Sequence, residues 1–269
     1  MLSGIIYFFA FNWTKIPVWV KLSSIEAAIV ILASTAFMLG LKRAGGRVSL
    51  LAASVMVGVF LAVFGQIYQT GADAYQLFTS WAALIFLWVL VSRFAALWVL
   101  WAAVLNTGII TYWVQMISYS EETFYWVFPI CLSLNALLLA LREGFAENRR
   151  WLSGTWHRYV LASAVLVFAD IPVFVYILDN RHLPVLTGSL LGLAANLYLV
   201  FHFSRRKPDP AALFLGILSL CFIGEVAMGK FVFRLGSHAG TLFVAGVLTL
   251  GIFSAGVALF RRLNRTEGH

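Results

Sequence analysis

Charge is the scarcest commodity in this chain of 269 residues: Asp, Glu, Lys and Arg together make up 11% of it. A soluble domain needs about 25% to keep its surface hydrated, so a water-soluble globule is excluded. Acids are the rarer sign, 11 against 19 Lys and Arg. Cysteine is nearly missing too, with only Cys131 and Cys221, each alone inside an apolar run. No disulfide framework or metal-ligand spacing can be built from them, and both read as small core residues. No metal or cofactor is expected, and no nucleophile elbow, phosphate loop, dinucleotide fingerprint or zinc-helix motif occurs.

What remains is apolar: 62% of the residues are hydrophobic and 16% aromatic. A helix needs about 20 such residues to cross a hydrocarbon core of about 30 Å. Cutting the chain at charges, prolines and polar clusters gives nine complete spans: 18–41, 48–68, 77–91, 95–116, 123–141, 159–178, 183–203, 211–229 and 239–260. The expected fold is therefore all-α, a polytopic transmembrane helix bundle, read as a single integral membrane domain over 1–269. Residues 1–13 are apolar but too short to cross, and read as the remainder of a truncated first helix.

Residues 77–116 would make one helix of about 60 Å if continuous, too long for a single crossing. Ser92 and Arg93 are the natural break. Basic residues test that choice, because Lys and Arg accumulate on the cytoplasmic side. With the break, one side holds Lys42, Arg43, Arg47, Arg93, Arg142, Arg149, Arg150, Arg158, Arg205, Arg206, Lys207, Arg261, Arg262 and Arg265; the other holds Lys15, Lys21, Arg181, Lys230 and Arg234. Without it the asymmetry weakens. The C-terminus is therefore expected to be cytoplasmic, and the net charge of +8 then records orientation, so no nucleic-acid partner is needed.

The loops are too short for an inserted soluble domain, so any site must be built within the spans or at their rims. Ionisable groups inside a span must be paired, hydrated or functional. Asp170 stands near the middle of its span with Pro172 two residues on, whose missing N–H leaves the carbonyl of Phe168 without its helical donor. That makes Asp170 a candidate proton carrier, or a structural acid bonded to a neighbouring helix. Glu26 and Glu225 lie toward the other rim and read either as snorkelling acids or, with Asp170, as an acidic pocket. Ser54, Gly58, Ala62 and Gln66 recur every four residues and form a small-residue packing seam with Gln66 at its polar end. Gly188 and Gly192 read likewise, while Asn106, Asn135 and Asn196 are expected to bond between helices.

Two stretches carry a family resemblance: Ala10-Phe11-Asn12-Trp13 with Pro17-Val18-Trp19-Val20-Lys21-Leu22, and Gly65-Gln66-Ile67-Tyr68-Gln69 with Trp81-Ala82-Ala83-Leu84 beyond it. Over about residues 5–115 the chain resembles the domain-of-unknown-function 2157 family of predicted bacterial membrane proteins. Its members usually have a longer N-terminal portion containing a whole first helix. The resemblance implies an inner-membrane location and a rim motif of Asn12, Trp13, Gln66 and Tyr68; it implies no reaction.

Three classes of function follow. Transport of a small solute, proton-coupled through a cavity containing Asp170, would use the midplane acid and the Gln66 seam as a polar pathway. A structural or assembly subunit would use the seams to meet a membrane-protein partner or a second copy. An intramembrane enzyme acting on a lipid-linked substrate would rest on Glu225 with His238, and no enzymatic activity is the expectation.

Overall fold

The computed structural model describes residues 16–69, 71–117, 120–178, 182–234 and 239–265. The truncated-helix expectation for 1–13, together with Asn12, Trp13 and His238, lies outside them. The described residues contain nine helices long and apolar enough to cross a membrane. They are α1 (Val18–Leu39), α2 (Ala44–Tyr68), α3 (Ala74–Ser92), α4 (Ala95–Tyr112), α5 (Val127–Phe145), α6 (Trp156–Leu178), α7 (Leu183–Phe201), α8 (Pro210–Arg234) and α9 (Ala239–Arg265). A short turn, Glu121–Phe124, precedes α5. π-helical turns extend α4 (Trp113–Ile117) and α7 (His202–Arg206).

Large apolar side chains stand exposed along these helices, Met38 at 87%. In water such a surface would aggregate; in a bilayer it is the solvated surface. The break at Ser92 is real: Arg93 takes a left-handed conformation (φ 46) and ends α3, Phe94 N–H donates to Ser92 Oγ at 3.3 Å, and α4 begins at Ala95. Gln69 (φ 44) and Gly71 (φ 62) end α2 in the same way before α3. Several helices run past the apolar boundaries read from sequence. Arg142, Glu143 and Arg158 consequently lie inside helix ends instead of loops, because they neutralise one another there.

The chain forms two compact units, 1–115 and 116–269. In the first, α1 packs on α2, α2 on α3 and α3 on α4. The expected seam on α2 is used by α3. Trp81 lies over Gly58, where a β-carbon would come within 2.6 Å of its indole, and Trp81 Nε1–H donates to the carbonyl of Ser54 at 2.8 Å. In the second unit α6 is central, touching α5, α7 and α8, while α9 packs on α8. Gly188 and Gly192 bring α7 against α6: a β-carbon on Gly192 would collide with the carbonyl of Ala169, and one on Gly188 would sit 2.9 Å from Pro172 Cβ. Pro172 lies inside α6, which continues through it to Leu178.

Candidate functional site

The central acid of the second unit is not isolated. Asp170 of α6 accepts from Asn196 Nδ2 of α7 at 2.8 Å through Oδ1, and its Oδ2 is 2.6 Å from Ser219 Oγ of α8. Ser219 Oγ is also 2.6 Å from Asn196 Oδ1. Three helices thus meet in one closed triangle of buried side chains, Asn196 wholly enclosed. The second amide hydrogen of Asn196 goes to its own helix, at the Gly192 carbonyl (3.2 Å), which fixes the amide's orientation. Beside the triad, Ser189 Oγ–H reaches the carbonyl of Pro172 at 2.8 Å.

Proton counting gives this triangle chemical content. Asn196 supplies one N–H to Asp170 and its other to Gly192, and Ser219 supplies a single O–H. An ionised Asp170 donates nothing, so Ser219 could satisfy only one of its two close oxygens. A proton on Asp170 Oδ2 completes the ring: Asp170 donates to Ser219, Ser219 to Asn196, and Asn196 to Asp170.

The other sequence candidates fall elsewhere. Glu225 of α8 accepts from Thr249 Oγ1 of α9 at 2.6 Å through Oε1, and its buried Oε2 has no hydrogen-bond partner among the described residues. Within the second unit, therefore, Asp170 and Glu225 have separate bonding partners. Glu26 belongs to the first unit and is exposed on α1. Gln66 lines a cavity of about 630 Å³ in the first unit together with Gln69, Asp73, Gln76 and Ser80. Its rim neighbour Tyr68 is exposed and rests against Phe64, ring centroids 4.6 Å apart. Asn196 bridges helices as expected. Among the bonds that Asn106 and Asn135 make, each donates to a carbonyl four residues back in its own helix (2.8 Å both).

A second polar cluster was not anticipated. At the Arg-rich rim of the second unit, Arg158 forks across two acids: Nε and Nη2 meet Glu143 Oε1 and Oε2 at 2.9 and 3.1 Å, and Nη1 meets Asp209 Oδ2 at 2.5 Å. Arg142, only 3% exposed, pairs with Glu143 and donates to the Gly154 carbonyl at 2.7 Å. Asp209 also caps α8, its Oδ1 accepting the amides of Ala211 and Ala212 at 3.1 Å each. Two readable signals pointed here: an Arg-Glu pair at a span end in an acid-poor chain, and an Asp-Pro step, the usual cap-then-first-residue order of a helix start.

Burial acts to raise the Asp209 carboxyl, but the Ala212 amide and the Arg158 guanidinium outweigh it and hold it below the usual aspartate range. A group lowered by folding adds stability above its unfolded value, about 3.9, and that stability is lost as pH falls through the lower folded value. The thermal stability of the detergent-solubilised protein is accordingly expected to fall as pH drops from about 5 through 3. Asp209→Asn is expected to be less stable at pH 7 and to show a flatter curve over that interval.

No curated protein and no solved structure matches the chain significantly. Both polar clusters lie in the second unit, beyond the part of the chain that a family model covers. The chain is an integral membrane protein of many apolar helices, and its residues 1–98 match the family model described as Predicted membrane protein (DUF2157).

Proposed function

We propose that this is a bacterial inner-membrane protein, its C-terminus cytoplasmic, that couples a proton to the movement of a small solute, with Asp170 as the proton-binding group. The observation that carries the reading is the hydrogen count of the Asp170–Asn196–Ser219 triangle, which closes only with a proton on the acid. Releasing that proton turns the Ser219 hydroxyl hydrogen to Asp170 Oδ2 and leaves the Ser219 Oγ–Asn196 Oδ1 pair at 2.6 Å without a hydrogen between them, so the α7–α8 contact must loosen. A proton-dependent contact between packed helices is the element that alternating access requires. The excess of Arg and Lys at one set of helix ends supports the orientation. The bilayer is the partner; another membrane protein or a second copy is compatible with the exposed helix faces, and no catalytic role is assigned.

The same triangle, with α6 and α7 in close approach at Gly192, also favours a second reading: an assembly subunit whose acid is a packing device. Asp170→Asn separates the two, because an amide donates to Ser219 and accepts from Asn196 just as a protonated acid does. The variant is expected to fold and unfold like the wild type while abolishing proton flux into liposomes carrying a pH-sensitive dye. Infrared difference spectra should show a protonated carboxyl stretch in the wild type at neutral pH that the variant lacks. Unchanged flux in Asp170→Asn would assign the triangle to packing alone.

A further inference from the structure

A different cavity lies at the Arg-rich end of the second unit. Along α5, Ala136, Ala140 and Gly144 recur at four-residue spacing and so share one face. A β-carbon on Gly144 would meet nothing within 4 Å. With Ala195 and Leu199 of α7 opposite, and Val165 of α6 as floor, these small residues leave a cavity of about 290 Å³. The π-helical turn His202–Arg206 closes its rim end, carrying His202 into the lining, and Lys207 follows. Such single-turn widenings recur at functional sites.

Two observations point to a ligand. Among the described residues, neither buried ring nitrogen of His202 has a hydrogen-bond partner, although an imidazole always carries at least one N–H. Lys207 Nζ uses one N–H on the Glu143 carbonyl (2.6 Å) and one on Glu147 Oε1 (3.0 Å), and an ammonium has three. Glu143, also in the lining, does not oppose an anion, because both its carboxylate oxygens are held by arginines. The rim end is therefore a donor-rich pocket, and everything deeper is apolar.

The mouth says where the ligand comes from. Ala140, Gly144 and Tyr198 are exposed, and beside them on the same two helices Leu141, Phe145, Leu197 and Phe201 are exposed too, which in this protein means facing lipid. The volume is at the small end of ligand cavities, about 300 to 1,000 Å³, too little for a whole phospholipid and suited to one chain.

We propose that this cavity binds an anionic acyl-chain amphiphile entering sideways from the leaflet on the Arg-rich side. Its carboxylate or phosphate sits at His202 and Lys207, and its chain runs inward past Gly144, Ala140 and Ala136. The source is either a free fatty acid or one chain of an acidic phospholipid.

The full chain, reconstituted in phosphatidylcholine vesicles, is irradiated with one of three photoactivatable probes: a fatty acid, a phosphatidylglycerol or a neutral monoacylglycerol. Adducts are then mapped by peptide mass. The expected result is labelling by an acidic probe concentrated on 136–144 and 195–202, with little from the neutral one. Labelling by the fatty acid alone identifies a free acid as the source, and labelling by phosphatidylglycerol alone identifies the leaflet lipid. Ala140→Trp, which fills the cavity from an exposed position, and Lys207→Gln are each expected to cut the yield at least about tenfold, the size of one lost charge-assisted hydrogen bond or more. Gly144→Leu repeats the filling should Ala140→Trp fold poorly. Labelling spread evenly over lipid-facing helices, labelling unchanged by the filling variants, or equal labelling by the neutral probe would overturn the proposal.

Discussion

Arg158→Met is expected to cost about 3 to 5 kcal/mol of stability, read as a large fall in the unfolding midpoint of the purified protein. The reason lies less in what Arg158 gains than in what its loss leaves behind. Glu143 and Asp209 are both buried, and both give oxygens to the one guanidinium. Without it, Glu143 keeps Arg142, and Asp209 keeps the α8 amides and the Tyr159 hydroxyl at 3.3 Å, yet two carboxylates face a shared apolar gap. Removing one partner of a buried ionic group is costly for that reason, whereas replacing the whole group by apolar residues is often neutral. The combination Arg158→Met with Glu143→Gln and Asp209→Asn is therefore expected to recover most of the loss. Arg158→Lys is not, because a point charge cannot span both acids as a planar fork does. Equal destabilisation by the single and the triple variant would show that packing of the arginine stem, not charge, sets the cost.

The helices were readable because hydropathy is local. A run such as Val18–Leu39 announces its span without reference to any other part of the chain, and the αL turn at Arg93 falls where charge asymmetry demanded a break. Asp170 stood out for the same reason, a lone acid in a lipid-length run. Its partners were legible only in part: Asn196 was recognisable as an interhelical residue, but a serine in an apolar helix, such as Ser219, gives no signal until the fold places it 2.6 Å from a carboxyl. The rim network was lost to a simplification, the counting of Arg142 and Arg158 as orientation charges. Pairs separated by 15 and 51 positions, as Arg158 is from Glu143 and Asp209, leave no periodic trace. The His202 cavity was invisible because a void is a property of packing; the three small residues on α5 show its wall, and nothing local shows the gap behind them.

Gly192→Leu is expected to cost about 3 kcal/mol, the upper end of what overpacking does. Most crowded glycines can be relieved by a neighbouring side chain swinging away. Here the first atom a β-carbon meets is the backbone carbonyl oxygen of Ala169, one residue before Asp170, and backbone inside a helix cannot turn aside. The only relief is for α7 to withdraw from α6. That withdrawal acts directly on the triad, since Asn196 stands one turn beyond Gly192, bonds its carbonyl, and reaches Asp170 from the same helix. The variant should thus lose stability and, in whatever fraction remains folded, shift the infrared band of the Asp170 carboxyl as its Asn196 bond lengthens. Gly229→Leu on α8 is the control: a β-carbon there meets nothing within 4 Å, and leucine is a better helix former than glycine by somewhat under 1 kcal/mol, so its midpoint should hold or rise. If both variants behaved alike, the close approach of α6 and α7 would not be what holds the triad together.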